Sequence, residues 1–278
     1  MNSTNTSAAA PRAAADHGAP AVREEVSLSR VVRSEWTKLR SLRAPVWLLV
    51  LTGLGIVLLG TMMAIGTLVA GVPADVSEVG ALGGALTGIS TVELLVAAVG
   101  ALAVTSEYSS GTIRSTLAVV PRRLPVLVAK AVVVAGSVLT VALVSVVVAF
   151  TATRGILAGQ GLSLPFTAPG VLRALIGAAL YLTVVALLGA GTGWLLRSTV
   201  GALAAVVGLL YVLPVVGILL PDGVARVVVP LLPGNAGAAV MEPEPAGMLP
   251  PWAGIAVFAG YAVLLLAAAA LLLRRRDA

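Results

Sequence analysis

The sequence has no cysteine, a single histidine and few charges, since only 11% of its 278 residues are Asp, Glu, Lys or Arg. Without cysteine the chain forms no disulfide, no thiolate metal site and no cysteine nucleophile. The one histidine, His17, lies in a polar N-terminal stretch, which excludes imidazole chemistry inside a membrane. No G-x-x-x-x-G-K-[S/T], G-x-S-x-G or H-E-x-x-H pattern occurs either. We therefore predict no catalytic residue, no cofactor and no metal site, and we do not expect an enzyme.

Long apolar runs dominate the rest of the chain. Apolar residues make up 59% of the sequence and the mean hydropathy is +1.05, whereas soluble domains are about 45–50% apolar. A helix needs about 20 apolar residues to cross the hydrocarbon core of a bilayer. Six runs have that length, and they predict spans at Val46–Ala70, Leu86–Thr105, Val126–Thr151, Ala174–Leu196, Thr199–Leu220 and Trp252–Leu273. Only Arg197 and Ser198 separate the fourth and fifth runs, so the sequence also allows one merged helix there.

These runs predict an all-α polytopic membrane protein with six transmembrane helices, divided into four parts. Residues 1–26 are rich in Ala, Ser, Asn and Pro without an apolar period, which predicts a disordered cytoplasmic tail. Residues 27–44 predict an amphipathic elbow helix, residues 45–273 the six-helix transmembrane domain, and residues 274–278 a second cytoplasmic tail.

The elbow helix has an apolar face with one charged exception. At helical spacing, one face carries apolar side chains and the other carries basic and polar ones. Glu35 falls within the apolar face, and Trp36 is predicted to lie at headgroup depth. The helix is either a generic juxtamembrane anchor or a helix that docks on the bundle, with Glu35 paired to a cytoplasmic arginine. Its candidate site residues are Glu35, Trp36, Lys38 and Arg40.

Lysine and arginine are unevenly distributed between the two sides of the membrane. One side holds Arg30, Arg33, Lys38, Arg40, Arg43, Arg114, Arg122, Arg123, Arg197, Arg274, Arg275 and Arg276, with Lys130 just inside the third span. The other side holds Arg154, Arg173 and Arg226 together with Asp75, Glu78, Asp222, Glu242 and Glu244. Because basic residues favour the cytoplasmic side, both termini are predicted to be cytoplasmic. Topology thus accounts for the net charge of +6, and no nucleic-acid partner is expected.

The connection between the second and third spans, residues 106–123, is the most informative segment. Ser109, Ser110 and Gly111 are typical of turns and helix caps. They are followed by Thr112–Val119, which is long enough for two helical turns, and Pro121 ends that helix. A short capped helix bounded by acid and base suits docking by a partner. The alternative is an ordinary basic cytoplasmic loop.

One carboxylate, Glu93, lies deep in the second span. Inserting a charge at that depth costs roughly 2.5–3.5 kcal/mol, so a role in a transport pathway or in pairing is the default hypothesis. The alternatives are a protonated side chain, or one that hydrogen-bonds a neighbouring Ser or Thr.

Small residues and prolines predict further features of the packing. Glycines recur at four-residue spacing, which lets helices approach closely within a subunit or in a dimer; they are Gly80, Gly84, Gly88, Gly189 and Gly193. Pro214 is predicted to kink or end the fifth span. The proline-rich segment 221–251 either re-enters the membrane, where it must be buried in protein, or forms a surface loop.

Two stretches resemble a known family. The run from Arg33 to Arg43 directly before the first span, and the run from Thr105 to Leu117 followed by Val120-Pro121-Arg122-Arg123, are similar to those of exporter-type ABC-transporter permeases. The second motif also stands in the matching place after the second span. These motifs cover about thirty residues, and the topology matches over residues 28–276.

The resemblance implies six spans per subunit and an elbow helix before the first. It also implies a second permease subunit, identical or different, and a separate cytoplasmic ABC ATPase that carries the nucleotide site. That ATPase would bind through a coupling helix, here mapped to Glu107, Tyr108, Gly111, Thr112, Arg114, Arg122 and Arg123. Besides these partners, the chain would contact the lipid bilayer of the cell membrane.

Three functions compete at this level. A permease of an ATP-driven exporter is expected to lose coupling when Glu107 or Arg114 is changed. An ATP-independent secondary transporter or channel would instead depend on Glu93 as a proton or ion site. An intramembrane enzyme is the weakest alternative, because the spans contain no His or Cys and one buried acid.

Overall fold

The computed structural model describes residues 27–70, 83–112, 123–159, 165–242 and 249–275. Its helices are α1 (Leu28–Ser41), α2 (Arg43–Ala70), α3 (Gly88–Ser109), α4 (Arg123–Ala158), α5 (Val171–Leu196), α6 (Thr199–Val207), α7 (Leu213–Gly217), α8 (Asp222–Val228), α9 (Pro233–Ala238) and α10 (Pro251–Arg275). A π-helical turn, Gly208–Val212, joins α6 to α7, and a 3-10 turn, Val229–Leu231, follows α8. The predictions for residues 1–26, for Gly80 and for residues 113–122 lie outside the described part.

Six helical stretches are long and apolar enough to cross a membrane, which confirms the predicted fold class. They are α2, α3 with the turn before it, α4, α5, the stretch Thr199–Gly217 and α10. The chain is therefore an all-α, multi-pass membrane protein. The largest difference from prediction is α4, whose 36 residues give a length of roughly 54 Å. It runs past the predicted end at Thr151 because Thr153, Arg154 and Gly155 interrupt the apolar run without ending the helix.

The centre of the bundle is formed by α3 and α5. In the most apolar stretch of α5, 72% of residues are buried, against 22% in α2, Thr199–Gly217 and α10. The fully buried side chains Leu182 and Leu188 belong to α5, and Phe258 of α10 packs into the same core. The peripheral helices leave large apolar side chains exposed on the isolated protein, as lipid-facing helices do, because lipid tails are as apolar as those side chains.

Glycines set the close approach of α3 to α5. A β-carbon added to Gly100 would lie 1.9 Å from the carbonyl oxygen of Ala186, and one added to Gly189 would lie 2.2 Å from that of Ala97. At Gly193 the corresponding distance to the Ala101 carbonyl oxygen is 3.3 Å. Real side chains do not fit at the distances found for Gly100 and Gly189, so the two backbones are in direct contact there, and the contact at Gly193 is tight. The predicted pair Gly189 and Gly193 therefore packs within one subunit.

Gly84 and Gly88, before and at the start of α3, differ in how closely neighbouring atoms approach them. At Gly88 an added β-carbon would lie 3.1 Å from the Ile56 Cα, so this residue brings α3 onto α2. At Gly84 the nearest atom would be the Met63 Cγ at 3.6 Å, which is ordinary contact. Of the two, Gly88 is the position where the missing side chain matters.

The fourth and fifth spans are two helices and not one. α5 ends at Arg197, which adopts the left-handed conformation with φ 53°. Ser198 then caps α6 by accepting a hydrogen bond from the Gly201 backbone N–H at 3.3 Å. The left-handed residue reverses the chain direction, and the serine cap starts the next helix.

The fifth span is irregular around Pro214. A proline has no N–H to donate to the carbonyl four residues earlier, here that of Leu210. The π-helical turn Gly208–Val212 lies directly before it, with the Leu213 N–H bonded to the Gly208 carbonyl oxygen. The Leu210 carbonyl oxygen would lie 3.0 Å from a β-carbon at Gly234, so α9 packs against this opened turn. The span ends at Gly217, three residues earlier than predicted.

The segment that begins at Pro221 is helical and partly buried. Ala236, Ala239 and Val240 are fully buried, and a β-carbon at Gly237 would lie 2.7 Å from the Tyr181 ring. Tyr181 lies ten residues into α5, roughly 15 Å from its first residue. Residues 232–240 are thus inserted between α5 and α10 and do not form a surface loop.

The close packing of α3 on α5 predicts a strong effect of adding a side chain at Gly189. We expect Gly189→Val to destabilise the protein by about 1–3 kcal/mol or more, because the Ala97 backbone has no room to move. The measurement is the midpoint of thermal unfolding in mild detergent. The matched control is Gly155→Val in α4, where an added β-carbon meets nothing within 4 Å. Equal midpoints for the two variants would contradict the packing described.

Candidate functional site

Helix α1 docks on the bundle through one face. Val31, Glu35 and Leu39 are buried, and Val31 packs with Val126 and Ala129 of α4. Trp36 is 42% exposed, so it lies beside this face and not within it. The structure thus favours the docking alternative for α1 over a free surface anchor. Arg40, on the remaining side of the helix, is exposed.

Four charged side chains from three helices meet at this docked face. The Lys130 Nζ of α4 donates to the Glu35 Oε2 at 2.5 Å and to the Glu107 Oε1 at 2.9 Å. The Lys38 Nζ donates to the Glu35 Oε1 at 2.6 Å and to the Glu107 Oε1 at 3.1 Å. Two carboxylates and two ammonium groups therefore alternate in a closed ring, which we call the charge ring. It joins α1, the C-terminal end of α3 and the start of α4.

Three of the four side chains in the charge ring are almost completely buried. Glu35, Glu107 and Lys130 are 3%, 6% and 4% exposed, while the Lys38 side chain keeps 37% exposure. Burial by itself lowers the pKa of Lys38, but hydrogen bonds and charge attraction from Glu35 and Glu107 outweigh it and hold that pKa above its ordinary value. Because the four charges cancel, the ring can be buried as a unit. Removing any one member leaves an uncompensated charge, which is strongly destabilising.

The end of α3 keeps hydrogen-bonding capacity that the described residues do not use. The Glu107 Oε2 and the neighbouring Ser106 Oγ are buried without a hydrogen-bond partner in this part of the chain. Buried polar atoms normally have a partner. Both atoms lie on the last turns of α3, immediately before the connection predicted to dock a partner.

Aromatic and cationic contacts fix the same end of α3 against α5. The Tyr108 ring meets the Trp194 ring edge-on with centroids 5.9 Å apart, and the Arg197 guanidinium lies 5.1 Å from the Tyr108 centroid. Beyond the helix, Gly111 has φ +72°, a value that favours glycine, and the hydroxyls of Ser110 and Thr112 are 2.9 Å apart. The predicted turn after α3 is therefore present.

The rest of the predicted coupling helix is not described. Arg114, Arg122 and Pro121 lie outside the described residues, and α4 begins at Arg123. The structure brings Glu107 together with Glu35 and Lys38, which the sequence placed in two separate candidate groups.

Two sequence predictions about members of the charge ring need revision. Glu35 was expected to pair with an arginine, but its partners are Lys38 and Lys130, because α4 presents a lysine at the depth where α1 is docked. Lys130 was counted only as a topological charge. Its position inside the third span was a usable signal, since a charge within a span generally has a partner.

A second buried polar cluster surrounds Glu93. This residue is 6% exposed, and the side chains of Tyr181 on α5 and Tyr211 in the π-helical turn lie close enough to interact with its carboxyl group. Tyr211 also donates to the Ser90 carbonyl oxygen at 3.1 Å. Within the described part of the chain, no lysine or arginine pairs with Glu93. Tyrosines were not predicted as its neighbours, because nothing in the sequence aligns α5 and the turn with α3.

The charge ring predicts a distinctive mutational pattern. We expect Lys130→Met to destabilise the protein by about 3–5 kcal/mol, because it leaves two buried carboxylates facing one lysine. Adding Glu35→Gln removes the excess negative charge and should restore part of the loss, giving a coupling energy of about 0.5–3 kcal/mol. Denaturation of the purified variants measures both quantities, with Arg226→Met, at an exposed cation, as the control. Additive losses in the double variant would contradict the ring.

Comparison with protein-family models, with curated proteins and with solved structures finds no match to this chain. The functional inferences below therefore start from three features of the molecule itself. These are the six-span topology, the charge ring at the end of α3, and the buried carboxylate of Glu93 nearer the start of the same helix.

Proposed function

We propose that this chain is the membrane-spanning permease subunit of an ATP-binding cassette exporter. It would form the translocation pathway together with a second permease subunit and take its energy from a separate cytoplasmic ATPase. The observation that carries the proposal is the charge ring, because it ties α1 rigidly to the point where the connection after α3 begins. A helix docked in this way suits the transmission of force from a partner bound to that connection.

The topology supports the same proposal. Six apolar stretches follow the amphipathic helix α1, in the order that the resemblance to exporter-type permeases implies. With the basic connection after α3 in the cytoplasm, the ATPase would dock there, and residues 232–240 would enter the membrane from the opposite side. Closure of an ATPase pair could then move α1, α3 and α4 together, as rigid-body switches do.

The basic residues of the connection after α3 also support a docked partner. Arg114, Arg122 and Arg123 belong to this one short segment, whereas Glu107 is held inside the charge ring. Guanidinium groups in such a segment suit charge-assisted hydrogen bonds to a complementary groove.

A pull-down tests the ATPase partner. The tagged full-length chain, extracted in gentle detergent from its native cells, is expected to retain a soluble protein with a P-loop, identified by mass spectrometry. The variant Arg114→Ala/Arg122→Ala should retain at least about tenfold less of it, which corresponds to about 1.4 kcal/mol. Glu107 is left intact, because changing it would break the charge ring.

The control for the pull-down is Arg226→Ala, which removes a basic residue from the outer segment. It should retain as much ATPase as the unchanged chain. Recovery of the unchanged chain without any ATPase, at full yield and as a monodisperse protein, would overturn the proposed function.

A second candidate function follows from the Glu93 cluster. A buried carboxylate beside two phenols, with no cationic partner among the described residues, suits a proton or ion site of an ATP-independent transporter or channel. This candidate needs no partner protein, and it relies on a part of the molecule that the first proposal does not use.

Liposomes that contain only the purified chain separate the two candidates. Under the permease proposal we expect no proton flux driven by a pH gradient, and no difference between the unchanged chain and Glu93→Gln, as read by a trapped pH-sensitive dye. A flux that Glu93→Gln abolishes would favour the second candidate. Under the permease proposal, Glu93→Gln should retain the ATPase in the pull-down as the unchanged chain does, whereas under the second candidate neither protein retains one.

A further inference from the structure

An apolar groove of about 370 Å³ runs between α1 and α4. Val32 and Trp36 of α1 form one wall, Val133, Gly136 and Val141 of α4 form the other, and Leu49 of α2 closes one end. The volume lies in the range of small-molecule sites, which are also mostly apolar. The groove is on the opposite flank of α1 from the charge ring.

Polar atoms in the α4 wall are turned back onto the helix itself. The Ser137 Oγ donates to the Val134 carbonyl oxygen at 2.9 Å, and the Thr140 Oγ1 donates to that of Gly136 at 2.8 Å. The groove therefore offers methyl and methylene surface to an occupant. The groove is open beside Gly136, where an added β-carbon would meet nothing within 4 Å.

Two exposed arginines flank the groove on α1. Arg33 and Arg40 stand three residues before and four residues after Trp36, so they lie on one side of the helix, two turns and roughly 10 Å apart. Both are exposed, and neither forms an ion pair with another described residue. By contrast, Glu35 and Lys38 on the opposite flank already neutralise each other within the charge ring.

We propose that this groove binds one anionic phospholipid. An acyl chain would lie between Trp36 and the α4 wall, and the phosphate would contact Arg33 and Arg40. Guanidinium groups bind phosphate oxygens in a bidentate manner, and half-exposed tryptophan is typical of the membrane–water interface, where headgroups lie. A zwitterionic lipid carries its own ammonium group beside the phosphate, so it gains less from two arginines that have no acidic partner in the described part of the chain.

The bound lipid also adjoins the charge ring. Val133 lines both the groove and the small cavity that contains Glu35, Glu107 and Lys130. An acyl chain packed on Val133 therefore contacts α1 on its groove side, while the charge ring holds α1 on its other side. The lipid acts as a third element that positions α1 on the bundle, and this role does not depend on the proposed ATPase partner.

Lipid retention by the full-length chain tests the proposal. The purified, delipidated chain is mixed with equal amounts of phosphatidylglycerol and phosphatidylcholine that have identical acyl chains, and bound lipids are counted by native mass spectrometry. We expect one phosphatidylglycerol to be retained at least about tenfold more than phosphatidylcholine. Arg33→Gln/Arg40→Gln should remove this preference, and Gly136→Leu should remove retention of both lipids by filling the groove.

Two matched variants control for general effects on the protein. Arg226→Gln removes an exposed arginine elsewhere, and Gly155→Leu adds the same side chain to α4 at another open position; both should bind lipid as the unchanged chain does. Equal retention of the two lipids, or retention unaffected by Arg33→Gln/Arg40→Gln, would overturn the anionic-lipid proposal. An equal loss in the control variants would show ordinary annular lipid and would also overturn it.

Discussion

Two glutamates and two lysines share an enclosed site where α1, α3 and α4 meet, and each of them can be there only because the other three are. A single buried charge in a bundle surrounded by lipid is unfavourable, whereas a neutral ring with short hydrogen bonds is tolerated. The ring consequently fixes three relative positions at once: the docking of α1, the end of α3 and the start of α4. The contacts of Tyr108 with Trp194 and Arg197 add α5 to the same assembly.

Helix α3 connects the features on which the functional proposals depend. Glu107 and Glu93 are fourteen residues apart on it, roughly 21 Å along the helix axis, and Gly100 lies between them. At Gly100 the backbones of α3 and α5 touch, so the middle of the helix is held without room for side chains. The Glu107 end and the Glu93 cluster are therefore parts of one helix whose middle is held directly against α5.

Helix α1 presents two chemically different flanks. On the side of the charge ring, the acidic and basic side chains neutralise one another, which allows them to be buried. On the side of the open apolar groove, Arg33 and Arg40 have no acidic partner among the described residues, which suits an amphiphile of opposite charge. The same short helix thus serves as a structural joint to the protein and, in our proposal, as a binding surface for the membrane around it.

The sequence by itself determined the membrane class, the number of spans, the helical nature of α1 and the break expected around Pro214. These follow from length, hydropathy and the missing proline N–H, which are local properties of the chain. It also marked Glu35, Glu93 and Glu107 as residues that need an explanation.

The partners of those residues were decided only by the tertiary structure. Lys130 is separated from Glu35 by 95 positions, and Tyr181 and Tyr211 reach Glu93 from other helices. Which lysine or tyrosine faces a given carboxylate depends on how helices are rotated and aligned against one another. That alignment is set by contacts such as Gly100 on Ala186, which hydropathy and helical periodicity do not encode.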